Sequence, residues 1–149
     1  METLVNYCLD TDVVIESLKD RDSSSAKLML LLRNKIAITS ITLYELYYGP
    51  LKVGLEKEIQ DIDSLRKQIV VLPLDEKAAE KAAQIDVSLH KIGQPVGLRD
   101  IFIASIALTH NLVLVTRNIR DFHRIKKVWK ELKIATPDDI LNEFKKKTK

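Results

Sequence analysis

The chain has 149 residues, of which 46% are hydrophobic and 30% charged, with a net charge of +3 and one cysteine. That length suits one domain of about 100–150 residues, the apolar content is too high for a disordered chain, and a single thiol excludes an internal disulfide. No apolar stretch approaches the roughly 20 residues of a membrane helix. Met1-Glu2-Thr3 lacks the basic opening of a secretory signal, so the expectation is one cytoplasmic domain over residues 1–149.

Short apolar runs at 4–9, 36–38, 69–72 and 112–115 predict buried strands. Being rich in Val, Leu and Ile, without polar alternation and set between helical stretches, they suit a parallel sheet covered on both faces. Helices are predicted at 12–18, 23–33, 40–48, 51–67, 75–91, 98–110 and 137–147, several behind a capping residue. The helix at 75–91 shows the pattern well: Ala78, Ala82, Ile85 and Leu89 form one stripe at three- and four-residue steps, which Ile92 continues. Strands alternating with helices imply an α/β sandwich. Residues 1–116 hold 13 basic and 16 acidic side chains, whereas 117–149 hold 11 and 5. A basic end permits a polyanionic partner, although residues 145–149 read first as a frayed, solvated tail.

In an open parallel sheet, ligands bind beyond the carboxyl ends of the strands. Asp10 follows the first predicted strand. Thr39 and Ser40 follow the second and lead to Glu45, and Thr116, Arg117, Asn118 and Asp121 follow the fourth. Asp100 opens a helix whose next eight residues include only Ser105 as a polar side chain. A carboxylate at the root of so apolar a helix needs a hydrogen bond, an opposite charge or a bound cation. Arg99 beside it points about 100° away around the helix and is not an obvious partner. Each acid has a structural alternative: Asp10, Thr11 or Asp12 could simply cap the first helix, Thr42 with Glu45 and Asn118 with Asp121 fit capping boxes, and Asp100 could be a favourable charge in a first turn. Taken together, four carboxylates at one sheet edge would repel one another unless a cation neutralised them. Oxygen-only donors select Mg²⁺ or Mn²⁺ over Zn²⁺.

Other chemistries lack support. None of the four glycines opens a phosphate-binding loop. His90, His110 and His123 are isolated, and Cys8 sits inside the first predicted strand as a small core residue.

The segment Val5-Asn6-Tyr7-Cys8-Leu9-Asp10-Thr11-Asp12-Val13-Val14-Ile15 resembles the opening strand and first acid of PIN domains. The stretches from Ile38 to Gly49, from Gly97 to Ala104 and from Leu114 to Phe122 resemble their second, third and fourth acidic blocks, in the same order. The length is most similar to VapC-type toxins of toxin–antitoxin pairs. Two positions depart from the pattern: Asp12 stands where Asn is frequent and serves as a ligand or a cap, and Asn118 makes Asp121 the better fourth acid.

The resemblance implies a three-layer sandwich with a central, mostly parallel sheet flanked by helices. It implies a Mg²⁺- or Mn²⁺-dependent endoribonuclease in which Asp10, Glu45, Asp100 and Asp121 are the catalytic and metal-binding acids. Thr116, Arg117 and Asn118 then contact the RNA substrate, and the partners are a cognate antitoxin and a second copy of the chain. Tyr44, Tyr47 and Tyr48, crowded beside Glu45, are expected to line a partner surface. The alternatives are a PIN nuclease of RNA maturation and a PIN-like binding protein without cleavage.

Overall fold

The computed structural model describes residues 4–147, so the opening Met1-Glu2-Thr3 lies outside the described residues. Five strands, β1 (Tyr7–Leu9), β2 (Ile36–Thr39), β3 (Val70–Leu72), β4 (Val113–Val115) and β5 (Lys133–Ala135), form one sheet in the order β3-β2-β1-β4-β5. Every pairing is parallel, with Cys8 aligned to Ala37 on one side and to Leu114 on the other.

Eight helices among the described residues cover the sheet: α1 (Thr11–Lys19), α2 (Ser24–Leu31), α3 (Ser40–Val53), α4 (Glu56–Gln68), α5 (Glu76–Lys91), α6 (Leu98–Thr109), α7 (Ile119–Val128) and α8 (Pro137–Lys147). Side chains alternate across a strand, and the sheet feeds two cores accordingly. Cys8 and Leu114 face a cluster with Ile85, Leu89, Ile103, Phe122 and Ile125 from α5, α6 and α7. Leu9 and Val115 face the opposite cluster, with Val13, Leu28, Leu46, Ile62 and Ile140 from α1, α2, α3, α4 and α8. The result is helix, sheet, helix in three layers. No helix among the described residues is long and apolar enough to cross a membrane.

Caps start the helices where the sequence places them. Ser23 accepts a hydrogen bond from Ala26 N at 3.1 Å, and Asp75 accepts one from Ala78 N at 2.9 Å. Thr39, not Thr42, caps α3, accepting from Thr42 N at 3.1 Å, which releases Glu45 from any capping duty.

The structure differs from the sequence reading at five places. Strand β1 is shorter than 4–9, because the chain first bonds to both neighbouring strands at Asn6, which donates to Lys35 O at 2.8 Å and accepts from Val113 N at 3.0 Å. Helix α3 does not break at 49–50 but runs through Pro50 to Val53. Pro50 lies in the last turns, where one lost backbone bond is tolerable, and Gly54, at φ 77°, ends the helix with its N–H on Pro50 O. Helix α7 is hidden by its charges, yet buried Phe122 and Ile125 follow Ile119 at three-residue steps. Strand β5 is a three-residue edge whose apolar residues, Ile134 and Ala135, are only partly buried, one against each core. The segment read as a frayed tail begins inside α8, which continues to Lys147, and residues 148 and 149 lie outside the described residues.

Core packing predicts a contrast. Ile103 on α6 is fully buried and Val87 on α5 is 54% exposed. Ile103→Ala should cost about 2–5 kcal/mol and Val87→Ala less than about 0.5 kcal/mol, both read by urea unfolding.

Candidate active site

The chain runs from β1 outward to β2 and β3, then returns on the other side of β1 as β4. The crevice between the carboxyl ends of β1 and β4 is therefore the switch point of the sheet, where open α/β folds bind ligands. Asp10 and Thr116 are the first residues past those two strands.

Asp10 is 1% exposed and every contact fixes it. Its Oδ1 accepts from Thr11 N at 2.8 Å and from Arg99 Nη2 at 3.0 Å, and its Oδ2 accepts from the Thr116 hydroxyl at 2.7 Å. Thr116 Oγ1 in turn accepts from Asn118 N at 2.9 Å. Glu45, in the second turn of α3, reaches the same crevice. Its Oε1 lies 2.6 Å from Thr11 Oγ1, which lies 3.0 Å from Thr42 Oγ1. A hydroxyl has one proton, and the carboxylate is the stronger acceptor, so Thr11 donates to Glu45 and accepts from Thr42.

Asp100, in the first turn of α6, is 7% exposed. Its Oδ1 accepts from Arg99 Nη1, and Glu45 Oε2 accepts from Arg99 Nε. Arg99 is thus the common partner of Asp10, Glu45 and Asp100, contrary to the expectation from its place on the helical wheel. A helical Cβ leans toward the N-terminus of its helix. Arg99 stands in the first turn, so its long side chain curls past the helix end into the crevice. The surrounding negative charge supplies the force.

Asp121 enters at second hand. The Asn118 amide Nδ2 donates to Asp121 Oδ2 at 3.2 Å and makes a long contact of 3.5 Å to Asp100 Oδ2, so Asn118 links the fourth acid to the third. Arg117 is turned elsewhere. Its N–H donates to Asp12 Oδ2 at 3.1 Å, and its guanidinium reaches Glu16 at 2.8 Å and Asp138 at 3.7 Å. It ties α1, the turn before α7 and α8 together, and in this arrangement it is not offered to the crevice as a substrate contact. Asp12 accordingly anchors that turn, and its Oδ1 is buried without a hydrogen-bond partner among the described residues.

The electrostatics follow from burial and crowding. Burial raises the pKa of Asp100 above the ordinary carboxylate value, and the charges of Asp10 and Asp121 add to this while Arg99 opposes it. Asp12 is raised by burial and by Asp10. For Arg99, burial works against the charge, but the hydrogen bond to Glu45 and the attraction of Asp10, Glu45 and Asp100 prevail, so its pKa lies above the usual value. Burial, with Asp10 adding to it, pushes the Cys8 thiol up to about 12 and leaves it chemically inert.

The structure therefore brings together Asp10, Glu45, Asp100 and Thr116 directly, and Asp121 through Asn118. Sequence reasoning undervalued Arg99 and treated Thr11 only as a cap. The available signal was a lone basic side chain beside the acid of an otherwise apolar helix. Among the described residues no three acidic, histidine or cysteine side chains form a ready-made metal cage. Asp10, Glu45 and Asp100 are instead drawn onto one guanidinium. The donor set nonetheless fits a hard divalent cation: it is all oxygen, it converges from three elements, and it already surrounds a positive group.

The sequence pattern of the PIN domain matches residues 7–128. The tRNA(fMet)-specific endonuclease VapC of Shigella flexneri is 35% identical over 123 residues, covering 82% of this chain and 93% of that protein. Ribonuclease VapC2 of Haemophilus influenzae is 33% identical with the same coverage. Among solved structures, DNA-bound VapBC from Salmonella typhimurium superposes with a TM-score of 0.82 at 32% identity, covering 90% of this chain and 99% of that one. VapBC2 from Rickettsia felis, bound to a promoter DNA fragment, gives 0.78 at 28% identity, covering 89% and 98%. With its acids at the switch point of this sheet and these relatives along nearly its whole length, the chain belongs to the PIN-domain family, among the relatives of VapC ribonucleases.

Proposed function

We propose that this chain is a Mg²⁺- or Mn²⁺-dependent endoribonuclease and the toxin of a toxin–antitoxin pair. The observation that carries this reading is the convergence of Asp10, Glu45 and Asp100 on one positive group at the sheet's switch point. VapC relatives named as ribonucleases support it.

In this reading Asp10, Glu45 and Asp100 hold the cation, and Asp121 completes the acidic rim. The bound metal supplies Lewis-acid polarisation of the scissile phosphate and eases deprotonation of the attacking water. The chain's own residues supply placement. Thr116 and the backbone N–H of Thr11 hold the Asp10 carboxylate in one orientation, and the Thr11 hydroxyl does the same for Glu45. Asn118, with its backbone N–H on Thr116 and its amide between Asp100 and Asp121, sets the spacing of the acidic rim and is left beside the path of the RNA. The proposed compartment is the cytoplasm, where an RNA substrate and a cognate antitoxin would both meet the chain.

The partners proposed are RNA, a cognate antitoxin and a second copy of the chain. Relatives solved as VapBC assemblies support the antitoxin. Tyr44 and Tyr48 are exposed on α3 with ring centroids 5.9 Å apart. With Tyr47, whose hydroxyl is 2.5 Å from Asp63 Oδ1, they line a groove of about 780 Å³ that we assign to contact with a protein partner.

Two substitutions grade the site. Purified protein should cleave a pool of structured RNAs with Mg²⁺ or Mn²⁺ and stop with EDTA, and Asp100→Asn should abolish cleavage while remaining folded by circular dichroism. Equal cleavage by that variant would reject the assignment. Thr116→Val removes the hydroxyl that orients Asp10 and accepts from Asn118 N but no metal-holding carboxylate, so the loss should be about 10–100-fold, measured as initial rate at saturating metal.

A further inference from the structure

The acidic site contains a cation of its own. Each of the three guanidinium nitrogens of Arg99 goes to a different carboxylate, and those carboxylates come from the end of β1, from α3 and from α6. The division of oxygens is informative. Asp10 Oδ2 and Glu45 Oε1 are taken by the hydroxyls of Thr116 and Thr11, facing away from the centre. Asp10 Oδ1, Glu45 Oε2 and Asp100 Oδ1 face inward, and these are the oxygens Arg99 takes. They are also the oxygens that a divalent cation between these acids would need.

We propose that Arg99 is the counter-ion of the metal-free site: it occupies the cation's place, holds Asp10, Glu45 and Asp100 converged until metal arrives, and is displaced when metal binds. The proposal rests on the reading of these acids as a metal site. A guanidinium has only donors and no lone pair for a metal, so it shares these oxygens with the metal only by repulsion. Displacement is sterically open, because the Arg99 side chain is 36% exposed whereas the carboxylates of Asp10 and Asp100 are buried. Among the described residues all its ion pairs are to these three acids, so no second anchor keeps it in place. Two occupants of one site are linked reciprocally: whatever stabilises the metal-free site through Arg99 weakens metal binding by the same factor.

The test is Mn²⁺ binding without RNA, by titration calorimetry, together with the thermal midpoint in EDTA, for wild type, Arg99→Gln and Arg99→Lys. Arg99→Gln keeps length and polarity but removes the charge. It should lower the midpoint in EDTA and tighten Mn²⁺ binding by about 5–150-fold, the usual span of coupling between two ligands. Should Arg99→Gln unfold in EDTA, folding on addition of Mn²⁺ is the corresponding supporting result. Arg99→Lys retains a single charge without the three-way fork, so its Mn²⁺ affinity should fall between wild type and Arg99→Gln. Equal or weaker Mn²⁺ binding in both variants, with wild type binding normally, overturns the counter-ion role and leaves the nuclease reading standing. Failure of wild type and both variants alike to bind Mn²⁺ overturns both.

Discussion

Like charges crowded at the edge of a parallel sheet are the constraint on which this structure turns. Two unit charges about 4 Å apart repel by about 4 kcal/mol at an effective dielectric of 20. Asp10 at the start of α1 and Asp100 in the first turn of α6 gain from helix dipoles, but only about 0.3–1 kcal/mol each. Helix ends therefore cannot hold these acids together. A positive charge is required, and Arg99 provides it.

The rest of the fold fixes the points from which those charges are delivered. Parallel pairing of β1 with β2 and β4 aligns their carboxyl ends, so Asp10, Thr39 and Thr116 emerge along one edge. Two separate cores then lock the helices that carry Glu45 and Asp100. Leu46, next to Glu45, is buried in one core, and Ile101 and Ile103, next to Asp100, are buried in the other. Hydroxyls from Thr11 and Thr116 occupy the second oxygens of Glu45 and Asp10, with Thr42 behind Thr11, and orient these carboxylates at little electrostatic cost. Asp100 keeps a raised pKa even so, chiefly through burial. Such strain is typical of sites arranged for chemistry rather than for stability.

Much of this was legible in the sequence, because parallel strands and amphipathic helices leave strong periodicities. The strands of the sheet centre, the stripe of α5 and the acids after Leu9 and within Ser40–Val53 and Leu98–Thr109 follow from local pattern. Helix α7 and strand β5 did not stand out, since charges mask the narrow apolar stripe of the first and the second offers only the partly buried Ile134 and Ala135. Arg99 was hidden for another reason. A helical wheel records where a side chain leaves the backbone, whereas a long side chain in a first turn goes where the field draws it. Asp121 was placed at the site by the sequence, and its contact with Asn118 is local, but that the same amide reaches Asp100 is a matter of tertiary geometry.

The central claim is that a divalent cation binds among Asp10, Glu45 and Asp100. The most direct measurement is anomalous diffraction from crystals soaked in MnCl₂. The account predicts a peak between these three carboxylates, with the guanidinium of Arg99 withdrawn from the same oxygens. A peak elsewhere with Arg99 still bound to all three acids, or none at saturating Mn²⁺, would contradict it.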